Sequence, residues 1–320
     1  MAKSQFISGL KEGDSVNSAF SIKYKHPPEA YKNGFRFELG LADRSGEIEL
    51  KYWGSADKEK VEALYKGFKE GDVIEVNGKT SAFRGVSEIH INEGAGSIRK
   101  IAEFDIADFV EKSAEDSEKL ANDMLAEIKG MKNEFLRKLM EEFFNDAKFM
   151  AQFRSAPAAM YMHHATIGGL IEHTSHVLKL CREICRIYPA LDRDLLIAGA
   201  ILHDIGKISE FRIGTNIKQT EEGMLRGHIA MGEEMVLGKI REIKDFPNEL
   251  KIKVAHMLLS HHGVKEYGSP QEPSFPEAAA VYYADEMDSK VDQFVKIKKE
   301  TKTEDFRIYS KKLGRGIYLK

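Results

Sequence analysis

Apolar and polar positions alternate strictly in the first third of this chain and then change period. Residues 35–41 run Phe-Arg-Phe-Glu-Leu-Gly-Leu, and 48–53 run Ile-Glu-Leu-Lys-Tyr-Trp. A period of two marks half-buried strands. The turn Asp43-Arg-Ser-Gly46 between the two runs makes them a hairpin. Residues 72–78 predict a further strand ending in a turn. Residues 86–91 predict another, with Ser87, Glu88 and His90 set against Val86, Ile89 and Ile91. Residues 56–68 carry Val61, Leu64, Tyr65 and Phe68 on one helical face. About five short strands with a helix late in the order predict a small closed all-β barrel over residues 1–102.

From residue 105 the apolar period is 3.6. Phe109, Leu120, Met124, Leu125 and Ile128 recur at helical spacing, and Gly130 reads as a helix stop. Phe135, Leu136, Leu139, Met140, Phe143 and Phe144 form a second stripe. Residues 103–154 are therefore expected to be a helical connector. Residues 155–320 read as almost all helix, with periodic stretches at 170–188, 194–204, 227–244, 248–262 and 276–298. The expected architecture is multidomain: an all-β barrel, a helical connector and an all-α C-terminal domain.

Composition narrows the functional classes. A formal net charge of -3 excludes a polycation that binds nucleic acid by bulk charge, so any such binding needs a local patch. Basic residues do gather at the C-terminal end, where 296–320 hold nine Lys/Arg against three Asp/Glu. That stretch reads as a solvated surface helix or as a phosphate-attracting rim. Cys181 and Cys185 are four apart on one helix face and form neither a CxxC motif nor a disulfide framework, which suits a reducing compartment. With no apolar leader and no long apolar run, the expectation is a cytoplasmic protein with no membrane partner.

The histidines carry the chemistry. Nine of the eleven lie between 163 and 262: His163, His164, His173, His176, His203, His228, His256, His261 and His262. His173 shares a face with Leu170, Val177 and Cys181. His203-Asp204 ends the apolar run 195–202, and Asp285 ends Ala-Val-Tyr-Tyr-Ala. Burying imidazole and carboxylate in apolar stripes is costly unless something pairs with them. A divalent cation is an efficient partner for both. His256 and His176 read as structural, and Asp288 and Asp292 as a solvated helix face.

These stretches resemble a known family. His173, His203-Asp204 and Asp285 look like the H…HD…D signature of HD-domain phosphohydrolases. The local wording is similar to the YhaM family of 3′-5′ exoribonucleases in 163–174 (HHATIGGLIEHT), 202–207 (LHDIGK), 223–228 (GMLRGH) and 259–263 (LSHHG). It is similar again in 266–270 and 284–290. The resemblance covers residues 155–295 well and extends more loosely over the barrel, which it implies is an OB-fold. It implies metal ligation by His173, His203, Asp204 and Asp285, with His228, His261 and His262 completing a two-metal site bridged by Asp204. It tilts the metal toward manganese, while the ligand types alone suit manganese, iron, cobalt or zinc. Lys207 can hold a phosphate oxygen. His163 and His164 can bond the phosphate or protonate the leaving group, and a structural role for one of them is an equal alternative.

On the barrel, Arg36, Lys51 and Trp53 are expected on the outer face, with Phe83 and Arg84 in a flanking loop, where bases stack and cations track phosphates. Trp53 as a core residue is the competing reading. The leading function is an exonuclease on single-stranded RNA or DNA. Two alternatives stay open: an HD hydrolase of a small nucleotide with a regulatory barrel, and a non-catalytic nucleic-acid-binding protein. Oligomeric state is left open.

Overall fold

The computed structural model describes residues 3–83, 86–160, 164–301, 303–311 and 313–320. Arg84 and His163, and the side chain of Phe83, lie outside what is described. The chain divides into two compact units, Met1–Glu111 with Ile213–Ile217, and Lys112–Arg212 with Lys218–Lys320.

The first unit is a barrel of β1 (Ser15–Tyr31), β2 (Gly34–Asp43), β3 (Gly46–Trp53), β4 (Val73–Phe83), β5 (Val86–Asn92) and β6 (Ser97–Ile101), with α1 (Lys58–Lys66) between β3 and β4. Strand order is β1-β2-β3-β5-β4-β6, and a further pairing of β1 with β4 closes the sheet on itself. The expected hairpin forms with Asp43 opposite Gly46 and Arg36 opposite Trp53. That register turns Phe37, Leu39, Leu50 and Tyr52 inward, where they pack with Phe20, Ile74 and Ile89. β1, at 17 residues, is not foreseen by alternation. Its pairing with β2 shifts register between Ile22 and Tyr24 and between His26 and Glu29. The second shift flanks Pro27-Pro28, which cannot donate to a ladder and breaks the period.

The second unit is built on α2 (Ser117–Lys129), α3 (Glu134–Phe144), α4 (Ala147–Ser155), α5 (Gly169–Ile187), α6 (Arg193–Leu202), α7 (Lys207–Glu210), α8 (Glu221–Glu242), α9 (Asn248–Ser260) and α10 (Pro276–Glu300). Asp116, Asn133, Asp146 and Asp192 cap α2, α3, α4 and α6 by accepting from first-turn N–H groups. Leu120, Met124, Leu139 and Phe143 share one core with Leu170, Leu196, Val254 and Val281. Among the described residues no helix is long and apolar enough to cross a membrane.

Two features correct the all-helical expectation for 155–320. Short strands β7 (Phe211–Ile213) and β8 (Ile217–Gln219) follow α7. The basic C-terminal stretch is not a helix beyond Glu300; it forms a hairpin of β9 (Arg307–Ser310) and β10 (Arg315–Tyr318). Ile308 opposite Ile317, separated by Gly314 at positive φ, supplies the β pattern that the run of lysines obscures.

Candidate metal centre

Five helices deliver the predicted residues to one place. His173 stands in the second turn of α5, on the face that buries Leu170 and Val177. His203 and Asp204 follow the last turn of α6, and His261 follows α9. Asp285 lies on α10, which packs on both α5 and α6. His228 arrives through a kink in α8, where Gly227 adopts φ 70°, a conformation that side chains other than glycine resist. Gly206 makes its approach possible: a Cβ there would sit 2.0 Å from the carbonyl oxygen of His228.

The donor atoms converge. His173 Nε2 lies 3.1 Å from His203 Nε2, 3.4 Å from Asp204 Oδ2 and 3.2 Å from Asp285 Oδ1. Asp204 Oδ1, the other oxygen, lies 3.4 Å from His228 Nε2 and 3.6 Å from His261 Nε2. The donor atoms of His262 gather with those of His228 and His261. Two donors about 2.1 Å from a shared ion, at angles between octahedral and tetrahedral, stand roughly 3.0–3.4 Å apart. The observed spacings sit in or just above that range.

The surroundings set which ring nitrogen faces inward. His173 Nδ1 donates to Asp288 Oδ2 at 2.7 Å, His203 Nδ1 to the Ala200 carbonyl at 2.9 Å, and His261 Nδ1 to the Leu258 carbonyl at 2.7 Å. His228 Nδ1 faces Glu210 Oε2 at 3.0 Å. Each ring that keeps its proton on Nδ1 turns a lone pair on Nε2 toward the others, as metal-bound histidines do. Asp204 Oδ1, His228 Nε2 and His261 Nε2 are buried and have no hydrogen-bond partner. Buried polar atoms are rarely left so, and a divalent cation is the partner this nitrogen and oxygen donor set fits.

Charge follows the same layout. Burial works to raise the Asp204 carboxyl, but Lys207 and the imidazoles of His203 and His173 hold it well below the usual carboxylate range. Burial also lowers His228 and His261, and burial next to His261 pushes His262 down to about 4. The second group of histidines is therefore neutral near pH 7, the form that ligates metal. A cleft of about 390 Å³ opens onto this centre, lined in part by Lys207, His228, His262, Asp285, Lys290 and Gln293.

Three expectations change. Asp288 is not on a solvated face. It accepts from His173, from His164 Nε2 at 2.9 Å and from His176 Nδ1 at 2.8 Å, because α10 lays it against α5. His176 is thereby drawn into the support of the centre. His164 is buried with both nitrogens engaged, Nε2 by Asp288 and Nδ1 by Glu172 Oε2 at 3.3 Å, an arrangement that favours a structural role over proton donation to a leaving group. Lys207 lines the cleft, but its Nζ donates to Asp204 Oδ2 at 2.6 Å. His256 is structural, its Nε2 accepting from the Ser274 N–H.

On the barrel, Arg36, Lys51 and Trp53 share the outer face, opposite the buried Phe37 and Tyr52. Trp53 is half-buried, with Tyr31 edge-on and the Arg36 guanidinium 5.2 Å from its ring centre. The cations there are not free: Arg36 pairs with Glu29 and Glu38, and Lys51 with Glu88 and Glu49.

Comparison with known proteins adds the following. A family model for the HD domain matches residues 170–290, and one for an OB-fold nucleic acid binding domain matches residues 32–95. A curated 3′-5′ exoribonuclease YhaM from Listeria monocytogenes is 34% identical over 298 residues, covering 92% of this chain and 91% of its own. The protein of the same name from Bacillus subtilis is 33% identical over 285 residues, covering 87% and 86%.

Proposed function

The chain belongs to the YhaM family of 3′-5′ exoribonucleases, and we propose that it shortens single-stranded RNA from the 3′ end by metal-assisted hydrolysis. The observation that carries this reading is the convergence of His173, His203, His228 and His261 Nε2 atoms on the two oxygens of Asp204. Two divalent ions, manganese by family, would be held by His173, His203, Asp204 and Asp285 on one side and by Asp204, His228, His261 and His262 on the other. When bound, they supply charge to a phosphodiester and acidify water.

The chain's own groups do the rest. Asp288 and Glu210 hold the rings of His173 and His228 in the ligating orientation. Lys207 and Lys290 line the cleft wall, paired with Asp204 and Glu286, and would turn toward a phosphate only by exchanging those partners. At about 390 Å³, the cleft falls at the small end of the roughly 300–1,000 Å³ seen for small-ligand sites, a size that suits one nucleotide at a time. The outer face of the barrel around Trp53 would take the strand by stacking rather than by net charge, since its cations are paired. Unpaired Cys181 and Cys185 suit a reducing cytoplasm.

The test is incubation of purified protein and manganese with 5′-end-labelled single-stranded RNA, and DNA in parallel. A ladder that shortens stepwise from the 3′ end is expected on RNA. Intact RNA together with hydrolysis of a cyclic dinucleotide or a dNTP would overturn the reading.

A further inference from the structure

The C-terminal hairpin presents a face that the metal centre does not use. Its register places Arg307 opposite Tyr318 and Tyr309 opposite Gly316. Since side chains alternate along a strand, these positions share one face and Ile308 and Ile317 share the other. Ile317 is buried, so the Ile face is the inner one. Tyr309 and Tyr318 are 68% and 67% exposed, and Phe306, just before β9, is 57% exposed. Gly316 leaves the ring of Tyr309 with no side chain directly across the ladder.

The charge on this segment is of one sign. Residues 306–320 contain five Lys/Arg and no Asp or Glu. Among the described residues Arg307 makes no ion pair or side-chain hydrogen bond, and Arg315 meets only the Leu313 carbonyl. The barrel face offers the contrast, with Arg36 and Lys51 each held by two carboxylates. Exposed flat rings beside the unpaired Arg307 guanidinium match the two needs of an unpaired nucleic acid strand, stacking for bases and a cation for phosphates.

We propose that the outer face of the β9–β10 hairpin, Arg307, Tyr309 and Tyr318, is a second binding surface for single-stranded RNA. It engages nucleotides away from the end being cleaved. The choice of RNA rests on the exonuclease reading above; the surface chemistry rests on the hairpin alone.

The full-length protein in EDTA, so that no cleavage occurs, is titrated into a fluorescein-labelled 20-nucleotide oligouridylate and followed by anisotropy at several KCl concentrations. Replacing both rings (Y309A with Y318A) should weaken binding at least about ten-fold, from two stacking contacts. The Y309F and Y318F pair keeps the rings and should restore wild-type affinity. Replacing Arg307 by Ala should lower the slope of log K against log salt by about 0.7, from one phosphate contact. Affinity of the alanine pair within two-fold of wild type would overturn the proposal. So would unchanged RNA affinity accompanied by lost binding to phosphatidylserine vesicles, or by a lower sedimentation coefficient, which would assign the face to a membrane or to a second copy of the chain. A parallel manganese digestion of the same RNA by wild-type protein separates the two ideas, since it judges the nuclease reading without touching the hairpin.

Discussion

Asp288 accepts the Nδ1–H of His173 at 2.7 Å, while the other nitrogen of that ring points at Asp204 and Asp285. The carboxylate fixes both tautomer and ring plane. An outer carboxylate of this kind typically contributes about 10–100-fold to metal affinity. Asp288→Asn should therefore bind Co²⁺ about 10–100-fold more weakly by calorimetric titration, with the folded state of the variant in EDTA verified by circular dichroism. Wild-type affinity in the variant would reduce Asp288 to a packing residue.

Asp204 faces both groups of histidines, so its loss should stop hydrolysis altogether. Asp204→Asn should show no detectable RNA shortening in manganese, yet bind single-stranded RNA in EDTA within about two-fold of wild type. Trimming of labelled RNA at a wild-type rate would dismantle the assignment of the centre.

Metal removal should register in stability as well as in activity. An ion that binds only the folded chain stabilises it by about 2.7 kcal/mol at a hundred-fold excess over Kd. For a unit of this size that corresponds to roughly 5–10 °C in Tm. Scanning calorimetry before and after chelation should show that drop, reversed by adding manganese.

Trp53 and Tyr52 are neighbours on β3 with opposite roles. Tyr52 stacks on Phe37 inside the barrel, while Trp53 lies on the outer face. Trp53→Ala should weaken RNA binding by about 1–3 kcal/mol with little effect on folding. Tyr52→Ala should cost about 3 kcal/mol of stability in urea denaturation.

Glu93 gives the barrel an acid-sensitive contact. Lys60, followed by the Ser55 N–H at 2.6 Å, holds its carboxyl down to about 2. A carboxyl depressed in the folded state stabilises above its unfolded pKa, near 4.5, and that stabilisation is lost as pH falls toward 2. The denaturation midpoint of wild type should therefore exceed that of Glu93→Gln at pH 7, and the gap should close by about pH 2.

Periodicity alone was enough for the β2–β3 hairpin and the long helices, and the unusual placing of His173, His203-Asp204 and Asp285 within apolar stripes was enough to single out the centre. What stayed hidden depends on contacts between distant segments. Asp288 sits one turn from Asp285 on a helix rich in acids and lysines, a pattern that reads as solvent-facing. Its burial comes from the packing of α10 on α5, 115 residues away in sequence from His173. For His164 the sequence leaves a catalytic and a structural role open, because nothing local announces Glu172 and Asp288 as its partners. In β1 the two prolines broke the alternation, and in β9–β10 the lysines masked a two-residue apolar pair.

The division of Asp204 between two sets of rings has a bearing on how this centre can change over time. One oxygen serves His173 and His203 and the other serves His228 and His261. Substitutions in the two sets should then be strongly epistatic, with double-mutant effects far from the sum of the singles. A lineage that loses either set loses the selective reason to keep the other, so the centre is expected to persist whole or decay whole.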